Sequence, residues 1–528
     1  MSRTPVRRLA RSMRPAVFAA LAAGLIAGAG MSGSGQQPIG VFADHADIGE
    51  PRHAGSFAYD AATQSYAMSA SGANMWANRD EFHYAWKTLT GDFIVQARVE
   101  FHGTGVDAHR KAGWVVRANR DADGPYVDGV VHGDGLTSLQ YRRSKGAQTE
   151  QTELAIKGPT FIQVERKGQT YTFSAARPGE RLTHVSIADL ALGDEVMVGL
   201  ALCSHNADVI ERATFRDVRI IRPVAEGFRP YRDYIGSVLE VLDVETGHRQ
   251  EVARPAQPVE APNWTTDGKA LIVNRSGRAE GWGVLERFDL DTRRFTTIDT
   301  GAVVRNNNDH VLSFDGTMLG LSDGSPASGG RSTVWTVPVA GGTPKRITTL
   351  SPSYLHGWSP DAKSLVFTGG RDNEFDIYVI PSDGSGPERN LTRSPGLDDG
   401  PEYSPDGRSI YFNSVRSGTM QVWRMGVDGS NPEQITDDEY NNWFPHLSPD
   451  GKWIAMVSFM KDVPPAEHPY YKHVYLRLMP TPGARPDKAA SKTARVLAYV
   501  YGGQGTMNVP SWSPDGRRLA FVSNTGSW

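Results

Sequence analysis

Three histidines and one glutamate occupy matching places in a repeated part of the sequence, where they could act as a group. His310 and His356 each lie five residues before a turn aspartate, Asp315 and Asp361, while Glu402 and His446 lie four before Asp406 and Asp450. Neutral imidazoles with a carboxylate suit a divalent metal such as Mn²⁺, Ca²⁺, Fe²⁺ or Zn²⁺. The same groups could instead supply a general base and acid, or simply bond to water and loop carbonyls in a polar channel. A second set, Arg275, Arg278, Arg371 and Arg416, falls in loops of another kind. Guanidinium groups there could clasp the carboxylate of an acidic sugar, with solvated loop charge as the alternative. Tyr470 and Tyr471 could stack on a pyranose, and Gln504 and Asn508 add polar groups nearby.

These residues need elements that bring them together, and the repeat supplies them. Thr266-Asp267-Gly268, Phe314-Asp315-Gly316, Pro360-Asp361-Ala362, Pro405-Asp406-Gly407, Pro449-Asp450-Gly451 and Pro514-Asp515-Gly516 are copies of one turn, with a period in the mid-forties. Four short strands per unit at that period describe a β-propeller blade. The longer last interval implies an insertion over about 460–495, which carries Lys461, His468, Tyr470, Tyr471, Lys472 and His473 and reads as a lid or wall. The sixth unit stops after its second strand. Val238 to Asp243 and Arg249 to Val252 read as its missing outer strands, so the segment 237–252 is expected to close the ring and remove its open edges.

In a blade the strands alternate in direction, so the turn aspartates mark one face. The loops leading into each first strand and those joining second to third strands meet on the other. That arrangement would carry His310, His356, Glu402 and His446 into one funnel.

Ahead of the repeat, 56–222 reads as strands without a long amphipathic helix. Phe93, Val95, Ala97, Val99 and Phe101 alternate with Ile94, Gln96, Arg98 and Glu100, the pattern of a half-buried antiparallel strand. Short strands separated by Gly and Asp turns fit one β-sandwich, joined to the propeller (236–528) by a Pro-punctuated linker at 223–235. Cys203, the single cysteine of 528 residues, rules out an intramolecular disulfide or a Cys-ligated cluster and reads as a buried small hydrophobe.

Residues 1–29 begin with Arg3, Arg7, Arg8, Arg11 and Arg14 and continue as a small and apolar run, the layout of a secretory signal. A leader at 30–55 would follow. Losing five arginines and no acid leaves 51 basic against 59 acidic residues. A mature charge near −8 disfavours nucleic acid and anionic membranes as partners. The apolar run falls short of a membrane span, so no stable membrane insertion is expected and the protein is read as periplasmic or secreted.

The residues also carry resemblances. Trp358-Ser359-Pro360-Asp361 and Trp512-Ser513-Pro514-Asp515-Gly516 resemble the repeat of six-bladed TolB-type propellers, with oligogalacturonate lyases and the propellers of prolyl-oligopeptidase relatives looking similar. The segments 161–174 and 198–206 resemble concanavalin-like jelly rolls of bacterial carbohydrate-active proteins. The fold expected is therefore all-β: a concanavalin-like sandwich followed by a six-bladed propeller. No hydrolase domain is read after the propeller, so peptidase activity is not expected. The leading functional expectation is an exported carbohydrate-active enzyme, a metal-assisted lyase or hydrolase of an oligosaccharide bound in the funnel. In oligogalacturonate lyases, histidines hold Mn²⁺ and an arginine faces the uronate; this chain lacks their His-x-His pair. The alternative expectation is a non-catalytic, TolB-like periplasmic propeller that binds a protein or a glycan.

Overall fold

The computed structural model describes residues 39–230, 232–276, 283–483 and 494–527. The signal segment at 1–29, the first part of the leader and Arg278 lie outside them. No described helix is long and apolar enough to cross a membrane.

The N-terminal domain is a sandwich of two seven-stranded antiparallel sheets. One sheet runs, edge to edge, through Asp44–Ile48, Phe82–Thr90, Glu195–Cys203, Lys111–Arg117, Tyr126–His132, Thr137–Arg142 and Glu150–Glu153. The other runs through Thr183–Ile187, Thr170–Ala176, Phe161–Lys167, Phe93–Phe101, Asn206–Ile221, Ser65–Gly72 and Ser56–Asp60. Trp114, Phe93, Phe173 and Phe215 fill the space between them. The first strand thus begins inside the stretch read as a leader: backbone pairing with Phe82–Thr90 orders Asp44–Ile48 despite its polar composition. Cys203 is buried, and burial pushes its thiol up to about 11.

Six blades follow. Five have four strands, as in Ser353–Trp358, Ser364–Arg371, Glu374–Pro381 and Arg389–Asn390 of the third. The sixth is composite. Its strand Arg518–Thr525 pairs along its length with Gly236–Asp243, which pairs in turn with Arg249–Ala253. Each turn aspartate locks its own turn: Ser359 Oγ donates to Asp361 at 2.7 Å, and Ser404 and Ser448 repeat the bond to Asp406 and Asp450 at 2.6 Å. The tryptophans of the repeat bind across blades, Trp358 Nε1–H donating to the Val311 carbonyl and Trp512 Nε1–H to that of His446, both at 2.9 Å.

The supposed insertion is not one excursion: Lys472–Pro480 and Arg495–Gly502 are the third and fourth strands of blade five, and extra length sits in the loop before Lys472 and in the loop after Gly502.

At Ile94 and Gln96 the alternate face of Phe93–Phe101 does not meet solvent as its pattern suggests, while Glu100 at its far end stays exposed. Ile94 packs with Ile221, Tyr471 and Tyr501, and Gln96 is buried, so this face covers the outer edge of blades five and six. At the joint, Glu240 accepts from Arg219 Nη2 and Arg249 Nη2, each at 2.7 Å, and from Ser523 Oγ at 2.5 Å. Burial would raise this carboxyl, but the two arginines hold it down at about 2.

Candidate functional site

The first strand of a blade is the innermost, and here it is bent. Pairing with the second strand slips between Glu260 and Asn263, Asp399 and Glu402, and Trp443 and His446. A β-bulge of this kind re-aims the side chains on its two sides. At its centre Ala261, Gly400 and Phe444 take left-handed backbone at φ 53, 59 and 54°. Gly400 suits the place, since a Cβ there would come within 2.5 Å of the Asn413 side chain.

The bulge separates two sets of residues. Those seven before the turn aspartate, Glu260, Asn308, Tyr354, Asp399 and Asn508, line one cavity of about 690 Å³ at the centre of the ring. Those four before it, Asn263, Glu402, His446 and Ser511, lie deeper and bond between blades. The Asn263 side-chain carbonyl accepts from the Leu312 amide at 2.9 Å, Glu402 from that of Leu447 at 3.1 Å, and Ser511 Oγ donates to the Pro262 carbonyl at 3.0 Å.

This corrects the predicted metal set. His446 Nδ1 is 2.6 Å from Glu402 Oε2 and its Nε2 3.1 Å from the Met507 carbonyl, so the pair is a strut between blades. His310 is fully buried, with Nε2–H donating to the Ile272 carbonyl at 3.2 Å, and burial lowers it to about 4. Only His356 of the four lines the cavity. Among the described residues no group of three or more His, Cys, Asp or Glu side chains is placed to hold a metal ion.

The predicted sugar-binding arginines are spent inside their blades. Arg275 pairs with Glu286. Arg371 makes a two-pronged contact with Glu388 at 2.7 and 3.0 Å and donates to the Pro352 carbonyl at 2.6 Å. Arg416 pairs with Asp398 at 2.7 Å and lies over Trp423. Tyr471 also turns away, its hydroxyl accepting from the Ile235 amide at 3.2 Å. Tyr470 and Gln504 do line the cavity.

Sequence reasoning missed Glu260 and Asn274. Glu260 and Asp399 share the position seven before the turn aspartate with Asn308, Tyr354 and Asn508, but the histidines drew the alignment two or three residues too far along. Asp399 accepts from Thr368 Oγ1 at 2.7 Å and lies 3.3 Å from His356 Nε2. Burial would raise Asp399, yet the His356 contact brings it to about 2. Burial would lower His356, yet Asp309 and Asp399 together hold it above its ordinary value. Among the described residues neither of the other two carboxyls makes an ion-pair contact with a histidine, although Asp309 also acts on His356. Burial lifts Asp309 to about 6, with His356 only partly opposing it, and lifts Glu260 to about 7 against a hydrogen bond from Tyr470. His468 leans on Trp443, bonds to Gln504, and is lowered by burial. None of the described lining residues is a lysine or arginine.

A Gly-x-Ser-x-Gly string, Gly320 to Gly324, does occur. Ser322 lies within the strand Met318–Asp323, fully buried, and its hydroxyl accepts from the Leu355 amide at 2.7 Å, so it is no nucleophile elbow.

The family model of the TolB beta propeller domain matches residues 351–465. An uncharacterized protein of Agrobacterium fabrum is 44% identical over 287 residues, covering 54% of this chain and 92% of its own length. The structure of a TolB-designated protein from Agrobacterium tumefaciens is 42% identical with a TM-score of 0.51, covering 56% of this chain and all of that one. Oligogalacturonate lyase from Vibrio parahaemolyticus is similar at 14% identity and a TM-score of 0.34, over 55% of this chain and 98% of that one. The expectation of a metal-assisted lyase or hydrolase is therefore overturned. The extensive similarity runs to the TolB side, and the dispersed histidines leave no metal cluster among the described residues.

Proposed function

The chain belongs to the TolB-type family of six-bladed β-propellers, and on that premise we propose that it is a non-catalytic periplasmic protein whose central cavity receives a segment of a protein partner. The observation that carries this reading is the cavity itself. Five of the six repeats contribute their seventh-before residue to it, and aromatic rings of Tyr354, Phe375, Phe444 and Tyr470 stand beside its polar groups. Concave, largely preformed sites with a few placed polar groups suit ligand binding. The N-terminal arginine-rich and apolar segment is in keeping with export. A glycan is the finer alternative, and the internally paired Arg275, Arg371 and Arg416 give it no support as an acidic sugar.

Photo-crosslinking tests the reading. A photoreactive side chain replacing Phe375, which is exposed at the cavity, is expected to give a discrete protein adduct in the periplasm. The same group at Lys363, exposed on the turn-aspartate face, is the control. Equal labelling from both faces, or no adduct from Phe375, would overturn it.

A further inference from the structure

Resting on the reading of the cavity as a binding site, we infer that its occupant presents an organic cation with N–H donors, an ammonium or a guanidinium group, to Glu260 and Asp309. Three carboxyls line the cavity and one of them, Asp399, is matched by His356. Glu260 and Asp309 repel one another, His356 opposes Asp309 only in part, and the described lining holds no lysine or arginine, so three carboxyls there face two imidazoles.

A second observation, independent of that charge, points to a ligand site. Asn306 lines the cavity, is fully buried, and has neither its amide nitrogen nor its carbonyl oxygen hydrogen-bonded. Asn274, 2% exposed on the same wall, has an unbonded carbonyl oxygen. Buried polar groups are almost always satisfied, so orphans gathered in one cavity mark where a partner's atoms belong. Two of the three orphan atoms are acceptors, as both carboxyls are once ionised, so among the described residues the larger unmet need is for donors.

The rings complete the chemistry. Tyr354 and Tyr470 stand in the same wall. Aromatic faces attract a cation through their quadrupole and exclude water from it. An anion would meet the carboxylates unscreened, and a neutral hydroxyl would leave them without a counter-charge.

The cation could come from a partner's lysine, arginine or chain N-terminus, or from a free amine. Calorimetry on the full-length mature chain separates these sources with four probes: the capped tripeptides Gly-Lys-Gly and Gly-Arg-Gly, the side-chain-acetylated form of the lysine peptide, and cadaverine. A charged probe is expected to bind at least about tenfold more tightly than the acetylated peptide, the scale of one charge-assisted contact. Glu260→Gln and Asp309→Asn should each weaken that probe by about the same factor while melting no lower than the parent. Preference for peptides assigns a protein segment; equal or better binding of cadaverine assigns a small amine. Indifference to acetylation, or no binding of any charged probe at millimolar concentration, overturns the inference. A partner crosslinked at Phe375 whose capture ignores both substitutions would overturn the cation while leaving the binding reading intact. Probe binding without any crosslinked protein would do the reverse.

Discussion

His310 and His356 hold the same place in consecutive repeats, five residues before the turn aspartate, yet one is sealed between blades and the other faces the cavity. The difference lies in the strand around them. In blade two the register slips between Asn306 and His310, leaving His310 on the deep side, whereas in blade three it slips between Leu355 and Gly357 with His356 at the slip. Position in the repeat sets height in the channel; the bulge sets direction.

The deep histidines should therefore matter to folding. His446→Ala leaves Glu402 buried without its imidazole and is expected to cost roughly 2–4 kcal/mol of stability. His310→Ala removes one neutral bond and some packing and should cost roughly 1–3 kcal/mol. Denaturant titration reads both. Loss of partner capture in His310→Ala with unchanged stability would contradict this assignment.

Acidity in the cavity gives a pH signature. Asp309 and Glu260 are raised from 3.8 and 4.5 to about 6 and about 7, so the folded state holds their protons more tightly than the unfolded one. Their contribution is fully present below about pH 4 and is lost as pH rises through 6 and 7, on the order of 3 kcal/mol apiece. His356, also raised, acts in the same direction. Melting temperature should fall between about pH 4 and 7, and the fall should shrink in the Glu260→Gln/Asp309→Asn double variant. Parallel profiles for parent and variant would refute it.

Arg416→Ala tests the arginines. It leaves Asp398, 1% exposed, without its partner and should cost roughly 2–4 kcal/mol, with binding in the cavity changed less than about twofold. A large loss of binding at unchanged stability would restore Arg416 as a ligand contact.

Closure and the sandwich contact can be separated by truncation. A 236–528 fragment keeps Gly236–Asp243 against Arg518–Thr525 but loses Arg219 and the cover over Tyr471 and Tyr501. It should melt cooperatively, roughly 5–15 °C below the full chain. A 253–528 fragment bares the edge of Arg518–Thr525 and should aggregate. Identical behaviour on size exclusion and melting would count against both contacts.

Much of the architecture was legible because it rests on local chemistry. The Asp-Gly turns and Trp358 and Trp512 repeat in the sequence and perform the same bonds in each copy. Less local facts were hidden. Alternation in Phe93–Phe101 cannot say that part of its polar face meets a second domain, since Gln96 and Arg98 are polar whether water or Arg249 and the Leu497 carbonyl satisfy them. Nor does composition reveal a bulge, and without it Glu402 and His446 looked like neighbours of His356 rather than struts beneath it.

The most direct measurement is made on the partner captured at Phe375, purified and titrated against the parent chain and the Glu260→Gln/Asp309→Asn variant, with intact masses recorded before and after. The account predicts a reversible complex that returns both components unchanged in mass and is weakened at least about tenfold by the variant. A change in mass of either component, or an affinity indifferent to the two carboxyls, would contradict it.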